Sequence, residues 1–460
     1  MNLLSSFFGT GIFGIRREKE SRKMPTITTL FFFLLGLSSS FSVCFSTNIL
    51  SLGKKNSDRL LSSAVFPLKG NVYPLGYYSV SIHIGEGDEA FEFDIDSGSD
   101  LTWVQCDAPC TGCTKPRERL YKPNNNALNC FEPLCTSLHP ITNDQCESAD
   151  DQCQYEIEYA DHGSSLGVLV NDHVPLKLTN GSTAAPRVAF GCGYDYKYSV
   201  PHSPPPTAGV LGLGNGEVSI ISQLSNMGVV RNVVGHCLSE EGGFLFFGDE
   251  LVPSSGVAWT SMSHESIGSY YSSGPAEVHY GGKATGIKDL ILVFDSGSSY
   301  TYFNSQAYNS ILALVRNDLK GKPLEDAPED KSLPICWKGK RPFKSLRDVK
   351  KYFKPLALCF TKTKNAQLQL PLETYLIITK YGNVCFGILN GTEVGLGDLN
   401  IIGDISLKDK MVIYDNERRR IGWFPTNCNK FKKEGQSFCQ PDGLFSILTE
   451  NYQGYIPKIF

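Results

Sequence analysis

Phe93-Asp94-Ile95-Asp96-Ser97-Gly98-Ser99 and Leu292-Val293-Phe294-Asp295-Ser296-Gly297-Ser298-Ser299 are two copies of one pattern in a chain of 460 residues. Each is an apolar, strand-like run that ends in Asp-Ser-Gly-Ser. The two aspartates stand 199 positions apart, about the length of one domain. A second element recurs in the same order. Gly209-Val210-Leu211-Gly212-Leu213-Gly214 follows the first copy, and Asn400-Ile401-Ile402-Gly403-Asp404 follows the second. Two aliphatic residues before a Gly fit a buried strand on which another backbone closes. A lone Asp-Ser-Gly is an ordinary turn. Two copies, each with its Gly-ended partner strand, argue for two related lobes with one site between them.

The chemistry of such a site follows from the residue types. Two carboxyls held side by side cannot both ionise, so they share a proton and titrate as a unit. The ionised member takes a proton from water while the protonated one polarises an amide carbonyl. Asp96 and Asp295 are the expected catalytic pair. Gly98 and Gly297 allow tight turns that bring backbone N–H groups to the carboxyls. Ser97 and Ser296 can donate across the two turns, and Ser99 and Ser298 can bond the outer carboxylate oxygens. We therefore place Gly98, Gly297, Ser99 and Ser298 with the substrate-binding residues.

Composition agrees with a globular, mainly β protein. Apolar residues make up 41% and charged residues 20%, with 44 Gly, 25 Pro and 11% aromatics. The formal charge of −4 offers no basic field for a phosphate backbone, so no nucleic-acid partner is expected. Strand patterns run over Tyr77 to Ile84, Gly243 to Gly248, Met411 to Asp415 and Arg420 to Phe424. Short helices are expected around Val218–Met227 and over Ser305–Leu319, with Ser305 as N-cap. Fifteen cysteines point to an oxidising compartment. The basic stretch Arg16 to Lys23 precedes an apolar run from Ile27 to Phe45, which reads as a secretory signal ending near Ser46. An uncleaved anchor is the alternative, and Met24 is a second candidate start. Asn180-Gly181-Ser182 and Asn390-Gly391-Thr392 are glycosylation sequons, which makes Asn180 and Asn390 candidate acceptors.

Beyond the residues themselves, the chain resembles the pepsin-type aspartic proteases, and among these the plant nucellin-like group. The resemblance spans roughly residues 70–428. It rests on Asp96 to Cys106, on Phe190-Gly191-Cys192-Gly193, on Leu211 to Gly214, on Phe294 to Ser299 and on Ile401 to Asp404. It implies a bilobal pepsin-like acid protease fold, two homologous β lobes with a cleft that takes an extended polypeptide. The implied organisation is an N-terminal extension and secretory signal (1–46), a short propeptide (47–69), an N-terminal lobe (70–250), a C-terminal lobe (251–430) and a tail (431–460). The implied function is an aspartic endopeptidase, with no metal and no other cofactor. It would work at acidic pH as a monomer with no stable membrane span after signal removal, in the cell wall, extracellular space or vacuole.

The resemblance also places Tyr159 as the tyrosine of a hairpin flap over the cleft, with Trp103 packing beside it. His162 stands where this group usually has Gly, and Cys359 and Cys439 look extra. Cys237–Cys428 and Cys336–Cys385 are implied disulfides. Pairing among Cys106, Cys110, Cys113, Cys130, Cys135, Cys146, Cys153 and Cys192 is left open by spacing.

Other motifs fail on context. Gly163-Ser164-Ser165-Leu166-Gly167 fits a serine-hydrolase elbow, but polar residues precede it where a buried strand is needed. Asp94 to Gln105 lacks the Gly and closing acid of a calcium loop. Cys110-Thr111-Gly112-Cys113 reads as a disulfide in a secreted chain rather than a zinc or redox site. No HExxH pattern is present.

Overall fold

The structure, a computed structural model, describes residues 62–430 apart from 86, 88–89, 139–147, 149, 198–205, 264–269 and 364–365. The expected signal, residues 47–61 of the expected propeptide and the tail with Cys439 lie outside these residues, while the propeptide's last residues, from Ala64, open the strand Ala64–Asn71.

The fold is mainly β. Its largest sheet holds 13 strands and takes members from both ends of the chain. Lys410–Asp415 lies between Val233–Ser239 and Arg420–Pro425, so a strand of the second half is hydrogen-bonded directly to a strand of the first. The expected boundary at 250/251 therefore does not fall at a break in hydrogen bonding. Cys237–Cys428 fastens this junction, and Cys336–Cys385 joins two neighbouring strands of the second half. In the first half Cys106–Cys192, Cys110–Cys113 and Cys135–Cys153 are bonded.

The sequence repeat is a repeat of topology. Gly209–Gly212 runs parallel to Ala90–Asp96 and antiparallel to Trp103–Gln105, which runs parallel to Arg187–Lys197. Asn400–Ile402 runs parallel to Leu292–Phe294 and antiparallel to Thr301–Phe303, which runs parallel to Ile388–Asn390. Gly209–Gly212, Leu292–Phe294 and Asn400–Ile402 are short and largely buried, as strands covered on both faces must be. The glycine after each aliphatic pair is required by close backbone approach. A Cβ on Gly212 would stand 2.5 Å from the Asp100 carbonyl, and one on Gly403 would stand 2.5 Å from the Ser298 carbonyl oxygen.

Helices are few. Ile220–Asn226 is capped by Ser219. Ser305–Leu319 buries Ile311, Leu312, Val315 and Leu319 on one face. Its N-cap is Asn304 rather than Ser305. The Asn304 side chain accepts the Ala307 N–H at 3.0 Å, whereas Ser305 turns its hydroxyl to Asn390.

Candidate active site

The parallel strand pairs deliver the two acidic turns to one place. Asp96 closes the Ala90–Asp96 strand opposite Gly212, and Asp295 follows the Leu292–Phe294 strand, its N–H bonded to the Ile402 carbonyl at 3.1 Å. The turns are then locked to each other crosswise. The Ser97 N–H donates to Ser296 Oγ at 3.0 Å, and the Ser296 N–H donates to Ser97 Oγ at 2.9 Å. Each hydroxyl donates onward to the carbonyl at the end of the opposite strand, Ser97 to Phe294 at 3.1 Å and Ser296 to Ile95 at 3.2 Å. All four bonds are buried, so water does not compete for them.

Each carboxyl has the same two local donors. The Gly98 N–H reaches Asp96 Oδ1 at 2.8 Å and the Ser99 hydroxyl reaches Oδ2 at 2.5 Å. The Gly297 N–H reaches Asp295 Oδ1 at 2.8 Å and the Ser298 hydroxyl reaches Oδ2 at 2.6 Å. The inner oxygens face each other. A Cβ on Gly98 would stand 2.7 Å from Asp295 Oδ1 and 3.1 Å from Asp96 Oδ1. Only glycine leaves that space open. Asp96 is 8% exposed, and its carboxyl is held above the usual carboxylate range. Burial is the first cause and the Asp295 charge the second, against the Ser99 and Gly98 hydrogen bonds that favour ionisation.

Tyr159 and Trp103 also meet at this site. Gln154–Glu158 and Ser164–His173 form an antiparallel hairpin with Tyr159 at its turn. The Trp103 indole N–H donates to the Tyr159 hydroxyl at 2.6 Å. Burial and then the Asp96 charge raise the pKa of that phenol, so it stays protonated. His162 sits in the same turn with φ of 67°, a left-handed conformation that explains why glycine suits the position and that His162 adopts at a cost in strain.

The remaining site residues lie elsewhere. Asn180 is exposed, in the turn between the short strands Leu176–Lys177 and Thr183–Ala184. Asn390 is 7% exposed and accepts the Ser305 hydroxyl at 2.9 Å, so a glycan there would have to be attached before folding. Among the described residues Asp330, Cys336 and Cys385 cluster at metal-ligand spacing, but both sulfurs are committed to a disulfide and offer no thiolate.

Sequence reasoning missed three groups. Tyr302 and Tyr270 feel the Asp295 charge and so stand near the pair. Asp404, 1% exposed, sits in the second repeat where Leu213 sits in the first, and that mismatch between the copies was visible in the chain. The third is a buried tyrosine and histidine beneath Ser97, with no motif around them.

Comparison with known proteins bears on these features. A family profile described as xylanase inhibitor, N-terminal, matches residues 78–249, and one described as xylanase inhibitor, C-terminal, matches residues 283–425. An aspartic proteinase of Oryza sativa subsp. japonica is 43% identical over 385 residues, covering 81% of this chain and 93% of that protein. Aspartic proteinase 39 of Arabidopsis thaliana is 26% identical, covering 94% and 93%. Among solved structures, basic 7S globulin from soybean superposes with a TM-score of 0.63 at 16% identity, over 80% of this chain and 98% of that one. That last likeness shows a shared fold.

Proposed function

The chain belongs to the pepsin-like aspartic protease family, and on that footing we propose that Asp96 and Asp295 hydrolyse peptide bonds through a water held between them. The observation that carries this reading is the crosswise bonding of Ser97 and Ser296, which leaves the two inner carboxyl oxygens facing one another.

The pair carries one proton. The ionised carboxylate removes a proton from water as the water oxygen attacks the carbonyl carbon. The shared proton passes to the carbonyl oxygen, giving a neutral tetrahedral diol. On collapse the newly acquired proton goes to the amide nitrogen as the C–N bond breaks, while a diol hydroxyl returns its proton to the other carboxylate, so the products are an amine and a carboxylic acid and the pair again carries one proton. Neither carboxyl bonds covalently to substrate. The Gly98 and Gly297 N–H groups, with Ser99 and Ser298, hold the oxygens in place before substrate arrives, so little reorganisation is needed during reaction. Tyr159, anchored by Trp103, covers the cleft and excludes water. Loss of the shared proton at rising pH ends the cycle, so activity belongs to the acid range.

The disulfides support a secretory route, and no helix among the described residues is long and apolar enough to cross a membrane. We place the processed protein in that pathway as a monomer acting on extended polypeptides. A second reading, binding without cutting, has in its favour that the matching profiles are named for inhibitors. Incubation of the purified, acid-treated protein with an unfolded protein substrate separates the two. Cleavage that is blocked by a statine-type mimic and absent in Asp96→Asn supports the peptidase. Cleavage that persists in Asp96→Asn refutes the mechanism, and no cleavage by folded wild type at any acidic pH favours binding alone.

A further inference from the structure

We infer that Tyr414 and His236 are positioning residues for the Asp96 turn, acting through a buried hydrogen-bonded chain that ends on Ser97. The kinetic part of this inference rests on the peptidase reading above.

The chain begins at His236, on Val233–Ser239, and crosses to Tyr414, on the adjacent Lys410–Asp415. His236 Nε2 lies 3.2 Å from the Tyr414 hydroxyl, which lies 3.4 Å from Ser97 Oγ. His236 and Tyr414 are both fully buried. The proton inventory fixes its direction. Ser97 Oγ has one hydrogen, and it goes to the Phe294 carbonyl. One lone pair of Ser97 accepts the Ser296 N–H. The remaining lone pair can only accept, so Tyr414 must donate to it. The Tyr414 oxygen is then the acceptor for His236, which must carry its proton on Nε2. That assignment also leaves the better orphan. His236 Nδ1 has no partner among the described residues, and an unpaired buried acceptor costs less than an unpaired buried N–H. Burial holds the imidazole neutral, pushing its pKa down to about 3.

The device is one-sided. Among the described residues Ser296 Oγ makes only its crosswise pair, so the two halves differ beneath otherwise matched turns. Tyr414 is itself braced. Its ring stacks on Tyr271 with centroids 4.0 Å apart, and Tyr271 donates to the Leu213 carbonyl at 2.8 Å. The Leu213 N–H in turn donates to the Asp96 carbonyl at 2.7 Å. The stacked tyrosines therefore reach the Asp96 turn twice, once through Ser97 and once through Leu213.

The test is steady-state kinetics with thermal melting on the full-length secreted protein. Tyr414→Phe is expected to lower kcat about two- to tenfold at unchanged KM, the loss of one hydrogen bond's worth of positioning. Tyr375→Phe is the matched control, since that buried hydroxyl bonds the Lys354 carbonyl, at 2.6 Å, and its kcat should hold while its melting temperature falls similarly. His236→Gln, whose amide can still donate to Tyr414, should keep more of kcat than His236→Leu. Combined with Tyr414→Phe, the two should be equal. A Tyr414→Phe enzyme that turns over like the Tyr375→Phe control, or a loss carried by KM, overturns the inference, as does equality of the Gln and Leu variants when Tyr414 is intact. Should wild type fail to cleave, the peptidase reading fails by itself, and the chain is then judged by histidine nitrogen NMR. An Nε2-protonated His236 supports it, and an Nδ1-protonated one refutes it.

Discussion

Asp404→Asn should make the protein lose less stability as pH rises. Asp404 opens the short helix Asp404–Leu407 at 1% exposure, its N–H bonded to the Ser298 carbonyl at 2.8 Å and its Oδ1 without a partner among the described residues. Its pKa is held well above 3.8, first by burial and then by the charges of Asp295, Asp96 and Asp94. A carboxyl raised on folding stabilises the folded state fully below its unfolded pKa. That contribution is lost as pH climbs toward and through the folded value. Each pH unit above 3.8 removes about 1.4 kcal/mol, so between pH 4 and pH 7 the loss reaches at most about 4 kcal/mol. Asparagine has the shape of the protonated acid and no proton to lose. Urea unfolding at pH 4 and pH 7 reads the effect. The stability difference between Asp404→Asn and wild type should shift in favour of the variant on going to pH 7, by no more than about 4 kcal/mol. Parallel pH profiles for the two proteins would refute the argument. Asp94, raised to about 7 by burial, should leave part of the wild-type slope in place in both.

Gly98→Ala places a methyl 2.7 Å from Asp295 Oδ1 and 2.9 Å from its Cγ, so the carboxyls must part and kcat/KM should fall roughly 100-fold or more with the fold intact, as read by circular dichroism and turnover together. Cys237→Ser opens a loop of 191 residues and should cost about 5 kcal/mol in the chain-entropy limit, measured as a drop in urea midpoint. On the proposed secretory route, Asn180→Gln should abolish a mobility shift that glycosidase treatment of the wild type also removes, since Asn180 is the exposed sequon.

Much of the site was legible because its chemistry is local. Asp-Ser-Gly-Ser names the carboxyl, the turn and both flanking donors within four residues, and its repetition indicated that two such turns meet. The aliphatic-aliphatic-Gly strands were legible for the same reason, since Gly212 and Gly403 mark backbone contacts that no side chain survives. The Tyr414–His236 chain was not legible. Both residues sit in ordinary buried strands, His-Cys-Leu and Ile-Tyr-Asp, and only strand register brings their hydroxyl and imidazole under Ser97. The cap of the Ser305–Leu319 helix moved one residue because Ser305 had a better partner in Asn390, 85 positions away. Long-range competition of that kind leaves no trace in a local pattern.

The pairing of Lys410–Asp415 with Val233–Ser239 sets an order of events at synthesis. When the ribosome has delivered the first half, the Val233–Ser239 strand still lacks one neighbour, Lys410–Asp415, which is made much later. The growing polypeptide thus carries an open β edge until Lys410 is made, 171 residues (410 − 239) after the strand itself. Such a protein needs that edge covered until Lys410–Asp415 pairs with it, and truncations short of residue 410 should aggregate or be degraded rather than accumulate as folded protein.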